Sequence, residues 1–229
     1  MRSLIFVLAI CFTFGLSAQK KEIEVGNFTD LTFGTSGTLY LSQGPDTKVI
    51  VEASERVLDK IVFDVRGDRL VIKYRDNQGG WNSGIRRSDL TVYVTMRDIE
   101  AVTLNGSGPI IGENTLKTED LEVRLSGSGS MELEVDSRDM KVILSGSGAI
   151  ELAGSGDEVN AVLSGSGKIR ADELRVSTLD ASISGSGSIY MDVQEEIDAS
   201  ISGSGNVYYL GKPDRVLNRS TGSGKVKRM

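Results

Sequence analysis

From Leu121 to Gly205 apolar and polar residues alternate with a period of two, and one phrase interrupts the alternation five times. It occupies Leu125–Gly129, Leu144–Gly148, Leu163–Gly167, Ile183–Gly187 and Ile201–Gly205, each reading Leu or Ile followed by Ser-Gly-Ser-Gly. Flanking copies lie at Leu104–Gly108 and Ser220–Gly224, and successive first glycines from Gly106 to Gly222 are 21, 19, 19, 20, 18 and 19 residues apart. Taking each first glycine as zero, positions −6, −4 and −2 are apolar (Met140, Val142 and Leu144 in one repeat), as are most residues at +4 and +6 (Ile150 and Leu152). Such alternation predicts a strand with one buried face on each side of a Gly-Ser-Gly bend, followed by a polar corner. A helix is excluded by the period and by two glycines per repeat, each costing about 1 kcal/mol there. Hairpins would pair strands within a unit. Units in one phase instead stack equivalent strands in parallel, so the pattern predicts a β-solenoid.

The glycines fall at inward positions. Either no Cβ fits at the corner or the backbone needs positive φ. The serines at −1 and +1 then point outward as two hydroxyl ladders. Turn chemistry with mutual hydrogen bonding accounts for them; glycosylation or direct sugar contact is the functional alternative.

Outside the repeats the chain divides simply. Residues 1–18 read as a signal peptide: Arg2, an apolar run from Leu4 to Leu16, then the small Ala18. The run is too short to span a membrane. Cys11 follows Ile10, not the small residue of a lipoprotein signal. Removal of this segment takes away the one cysteine and leaves 25 basic against 32 acidic residues, a net charge of −7, with no histidine. An exported chain without disulfides is expected, in the periplasm, on the outer surface or secreted. Its charge disfavours nucleic acid, and no transmembrane segment remains after the signal.

Residues 19–229 are expected to form one domain, with 19–104 a less regular β half and 105–229 the regular coils. Thr35-Ser36-Gly37 reads as a degenerate bend, with Leu31, Phe33, Leu39 and Leu41 in the phase of the later repeats. Further strands are predicted at Val49–Glu52, Ile61–Val65, Leu70–Tyr74 and Leu90–Val94, with Arg66–Arg69 as a turn. That turn contains Arg-Gly-Asp, a tripeptide that a polar turn favours in any case. A Gly-rich loop at 76–89 carries the one tryptophan, Trp81, as a contact residue or as a cover over the end of the core.

Candidate chemistry is sparse. Position −7 reads Asp120, Asp139, Glu158, Thr178, Glu196 and Arg215, with Glu119, Asp157 and Glu195 beside it. Stacked at about 4.8 Å, Asp120, Asp139 and Glu158 are the candidate metal ligands, for Ca²⁺; the alternative is a solvated acidic corner. At +5, Tyr190 and Tyr208 are placed to stack outward and, with Trp81, are the candidate ligand contacts for a sugar or protein surface. A Ser-His-Asp or Cys-His catalyst is impossible without histidine or cysteine. No resident cofactor and no catalytic residues are expected. Paired acids on such a scaffold leave open a carbohydrate-binding or polysaccharide-cleaving alternative.

Three features together resemble one known family: the export signal, the β-rich half running through Leu90–Met96 to Ala101–Gly108, and the tandem Leu-Ser-Gly-Ser-Gly coils. They are similar to the putative auto-transporter adhesin, head GIN domain family of exported proteins common in Bacteroidota, over about residues 24–210. The resemblance implies a right-handed parallel β-helix-like fold at the cell envelope or secreted, and a binding role. It supplies no catalytic residues.

Overall fold

The computed structural model describes residues 19–75, 86 and 89–229. The regular half is built from β10 (Leu116–Gly127), β11 (Ser130–Gly146), β12 (Ala149–Gly165), β13 (Lys168–Gly185) and β14 (Ser188–Gly203), each pairing in parallel with the next. Leu125, Leu144, Leu163, Ile183 and Ile201 are in register across them. Inward rows from the two sides of each coil meet in one core that runs from Phe28 to Val207. The predicted solenoid is therefore observed. One difference lies at the polar corner, where strand pairing continues instead of stopping. Uneven repeat lengths are absorbed there as register shifts, as between Glu151 and Ala153, while the Gly-Ser-Gly bend keeps its register throughout.

Both explanations for the first glycine hold together. From Gly127 to Gly222 these six residues have φ between 120° and 132°. A Cβ on Gly127 would sit 2.6 Å from the carbonyl oxygen of Gly106. That oxygen row is occupied for a reason. The Gly127 carbonyl accepts hydrogen bonds from the N–H groups of Ser147 and Gly148, both at 3.1 Å, and each later coil repeats the pair. The second glycine acts differently. It leaves a notch that receives the −2 side chain of the neighbouring coil: a Cβ on Gly148 would meet Leu125 Cδ2 at 2.7 Å. The flanking serines are exposed, as expected. Among the described residues, however, no hydrogen bond joins Ser126, Ser145, Ser164, Ser184 and Ser202 to one another. Their separation by a full strand spacing of about 4.8 Å is beyond hydrogen-bond reach.

The less regular half contains β1 (Gln19–Ile23), β2 (Asp30–Gly34), β3 (Thr38–Gln43), β4 (Lys48–Ala53), a one-turn helix α1 (Glu55–Leu58), β5 (Ile61–Arg66), β6 (Arg69–Tyr74), β7 (Leu90–Met96), β8 (Ala101–Gly106) and β9 (Pro109–Gly112). Its coils do not follow chain order. β2 and β3 are sandwiched between β6 and β7 on one side and β8 and β9 on the other, all in parallel. Thr35 takes the place of the first glycine, since its carbonyl oxygen lies 2.7 Å from where a Gly106 Cβ would be. Beyond β6 and β7 the pairing turns antiparallel. β4 pairs with β7 and β1 with β4, while β5 and β6 form a hairpin through Gly67, at φ 60°. The Arg66–Arg69 turn is thus the tip of that hairpin.

At the other end, β15 (Asn206–Leu210) and β16 (Arg215–Gly222) pair in parallel with the two parts of β14, and β17 (Lys225–Arg228) pairs in parallel with β15 as the last strand. The inward positions become polar at this end, with Asn218, Ser220 and Arg228 in register with Ala199, Ile201 and Tyr209. Val216 is left 40% exposed. Polar inward residues and clustered charge both discourage further strand addition at an edge.

Candidate functional site

The acidic row is brought into register as expected. Asp120 pairs with Asp139, Asp139 with Glu158, Glu158 with Thr178, and Glu196 with Arg215. Together with the −5 row, these residues wall an open groove of about 1130 Å³ that extends from Ile99 past Leu179 to Glu196. The side walls carry acids such as Glu122, Asp180 and Asp198, and the floor is the edge of the core. Among the described residues, no three carboxylates converge on one point as a metal centre requires. A row spaced by strand pairing spreads charge along a line.

Two residues that the sequence reading passed over stand beside the row, one opposing its charge and one tying its backbone. Arg138 occupies the −8 position between Glu119 and Asp157 and contacts Asp139 at 3.0 Å. Asp139, through its charge and a hydrogen bond, and then Glu119 and Asp120 raise the Arg138 guanidinium above its ordinary value. Ser137, buried at the corner, places its hydroxyl 3.1 Å from the Glu119 carbonyl and 3.2 Å from that of Asp139. Both were readable from the repeat phase, had the non-acidic members of each row been given equal weight. Replacing Arg138 by Ala should lower the melting temperature at low ionic strength, with the loss shrinking as salt is added. A salt-independent loss would mean that Arg138 acts by packing. Ca²⁺ followed by EDTA should leave the wild-type melting temperature flat; a rise with Ca²⁺ reversed by EDTA would restore the cation reading.

Tyr190 and Tyr208 stack on each other as placed, with centroids 4.9 Å apart and planes 14° from parallel. Lys227 Nζ lies 5.8 Å from the Tyr208 ring centre, over its other face. The rings therefore direct faces at each other and at a cation, and offer edges and hydroxyls to solvent, so a sugar has no free flat aromatic face on Tyr208. A second pair escaped notice in the sequence because its members are 53 positions apart. Tyr40 and Tyr93 stack at 5.2 Å, with Lys20 5.2 Å from the Tyr93 ring centre. Register puts both pairs on one outward row: Tyr40 aligns with Tyr93 and Ile111, and Tyr190 with Arg170 and Tyr208. Trp81 lies outside the described residues. Arg66 and Asp68 are exposed at their hairpin tip, but Arg66 is tied to Asp64 at 2.7 Å.

Comparison with known proteins agrees with this fold. Solved structures with the same fold include a putative adhesin from Bacteroides fragilis at 23% identity, covering 94% of this chain and 98% of that one with a TM-score of 0.87. A putative lipid binding protein from Parabacteroides distasonis matches at 24% identity, 93% and 97% coverage and a TM-score of 0.75. A putative adhesin from Parabacteroides merdae matches at 19% identity, 93% and 96% coverage and a TM-score of 0.68. No curated protein matches the chain. The family model described as putative auto-transporter adhesin, head GIN domain, matches residues 27–213. With that model covering most of the chain, from β2 through β15, the chain belongs to the putative auto-transporter adhesin, head GIN domain family.

Proposed function

We propose that this chain is an exported, non-catalytic binding module that works at the cell envelope or outside the cell on a surface glycan or protein. One observation carries the reading. Two tyrosine pairs, each attended by a lysine, are kept half-buried on the outward row of a solenoid whose core is already filled. Aromatic rings with polar tips held at a surface are typical of contact sites. The polysaccharide-cleaving alternative needs an acid pair with aromatics beside it. The acidic groove has the acids, but among the described residues no aromatic ring lines it. The same groove offers charge where an acyl chain needs apolar walls, so a lipid-carrying role is not favoured. Export itself rests on residues 1–18 and on family membership. Among the described residues no helix is long and apolar enough to cross a membrane.

The test uses residues 19–229 on immobilised polysaccharides and on protein-coated surfaces. Saturable binding without release of new reducing ends is expected. Release of reducing ends would replace this reading with the enzymatic one. Absence of saturable binding to every surface would leave a purely structural envelope role.

A further inference from the structure

On an acidic protein, one end of the tyrosine row is basic. β13 carries Lys168 and Arg170, β14 Ser188 and Tyr190, β15 Asn206 and Tyr208, and β17 Lys225 and Lys227, aligned pairwise across the four strands. All eight side chains lie at outward positions of one sheet face. Among the described residues no ion pair engages Lys168, Arg170, Lys225 or Lys227. This contrasts with Lys20 at the other tyrosine pair, which contacts Glu52 at 3.6 Å. Beside the strip, Asp192 is occupied by Arg175 at 3.2 Å and Gln194 at 2.7 Å, and the exposed Asp172 stands two residues from Arg170. Four cations outside any ion pair thus bracket a polar, uncharged floor of Ser188, Asn206 and two phenols.

We propose that this strip binds an acidic polysaccharide, one bearing a carboxylate on successive sugar residues, laid across the strands from Arg170 to Lys227. The inference rests on the binding-module reading and names its ligand class. Three observations select this occupant. The strip advances by one coil, about 4.8 Å, per side chain, close to the advance of one sugar along an extended polysaccharide. The cations at its two ends complement carboxylates a few residues apart. Between them, Ser188 and the two phenols present hydroxyls to a ligand rich in hydroxyls. On the same row Glu151 adjoins Arg170 across β12 and β13, and Glu132 stands one strand beyond it. A plane of anionic lipid would lie over both acids with the rest of the face, whereas a narrow chain confined to the last four strands stops short of them.

The experiment compares polygalacturonate with its fully methyl-esterified form, which keeps the sugar and removes the charge. Vesicles of anionic phosphatidylglycerol serve as the third arm. Residues 19–229 should bind the free acid at least about tenfold more tightly than the ester, with affinity falling as salt rises. The double variant Arg170→Ala/Lys227→Ala should lose about tenfold or more of that binding at unchanged melting temperature, while Lys227→Arg and Lys20→Ala should retain it. Equal binding of acid and ester would overturn the charge-based assignment and leave a neutral-glycan module standing. Full binding by the double variant would move the site elsewhere. Binding to vesicles alone would assign the strip to membranes. Failure on every arm removes this ligand class, while the protein-coated surfaces above decide the broader reading separately.

Discussion

Gly127→Ala should destabilise the protein by about 3 kcal/mol or more, which corresponds to roughly 10 °C in melting temperature for a domain of this size. Two causes combine. The residue has φ 126°, which L side chains rarely adopt, and its new methyl would lie 2.6 Å from the Gly106 carbonyl oxygen. That oxygen accepts a hydrogen bond from the Gly129 N–H at 3.1 Å, so moving it away breaks the bond that joins the two coils at the corner. Gly26→Ala is the control. Nothing lies within 4 Å of its added methyl and its φ is not positive, so it should stay within about 0.5 kcal/mol of wild type. Thermal or urea unfolding of both variants decides the matter. A mild Gly127→Ala would mean that the corner relaxes freely.

Leu144→Ala has the second large effect, about 3 kcal/mol within the usual 2–5 for such truncations. Leu144 is fully buried, and its Cδ2 fills the notch that Gly167 leaves in the next coil. The two positions therefore form a lock between coils. Gly167→Ala alone should also destabilise, by driving a methyl into Leu144. In the double variant the truncated Leu144 no longer meets that methyl, so the combined loss should fall short of the sum by about 1 kcal/mol. The shortfall is partial because the Gly148 carbonyl oxygen, 2.6 Å from the same methyl, stays in place. Strict additivity in equilibrium unfolding would rule out the lock.

The regular coils were legible because two independent signals coincide in them. Alternation identifies the inward residues, and a recurring phrase fixes how far apart equivalent strands lie. Leu125, Leu144 and Leu163 could therefore be stacked from the sequence, and they do stack. The acidic row followed from the same arithmetic. Arg138 did not, because attention to one charge sign hides the counter-ion standing in the same column. The order of the first coils was hidden for a different reason. Leu31, Leu70 and Val102 share one phase, and phase says that strands can stack without saying which lies beside which. Only the return of β8 to the far side of β2 settles that, and no local residue encodes it. Tyr40 and Tyr93 belong to this hidden part, as neighbours only through the out-of-order stacking. Tyr190 and Tyr208 lie in the regular part and were found.

That interleaved order also governs how the chain acquires its structure. Leu144 meets Leu163 after 19 residues, and every coil boundary from β10 to β14 closes a loop of similar length. Leu31, by contrast, is in register with Val102, 71 residues later. Contacts between distant positions are entropically expensive and slow to form. The regular coils can wind one upon another as soon as two of them exist, whereas the segments synthesised first must wait, with Leu31 and Phe33 uncovered on one side, until β8 arrives. The end of the molecule that leads in synthesis thus closes only when β8 is made, and the other edge of β8 is then the template on which β10 and the later repeats wind.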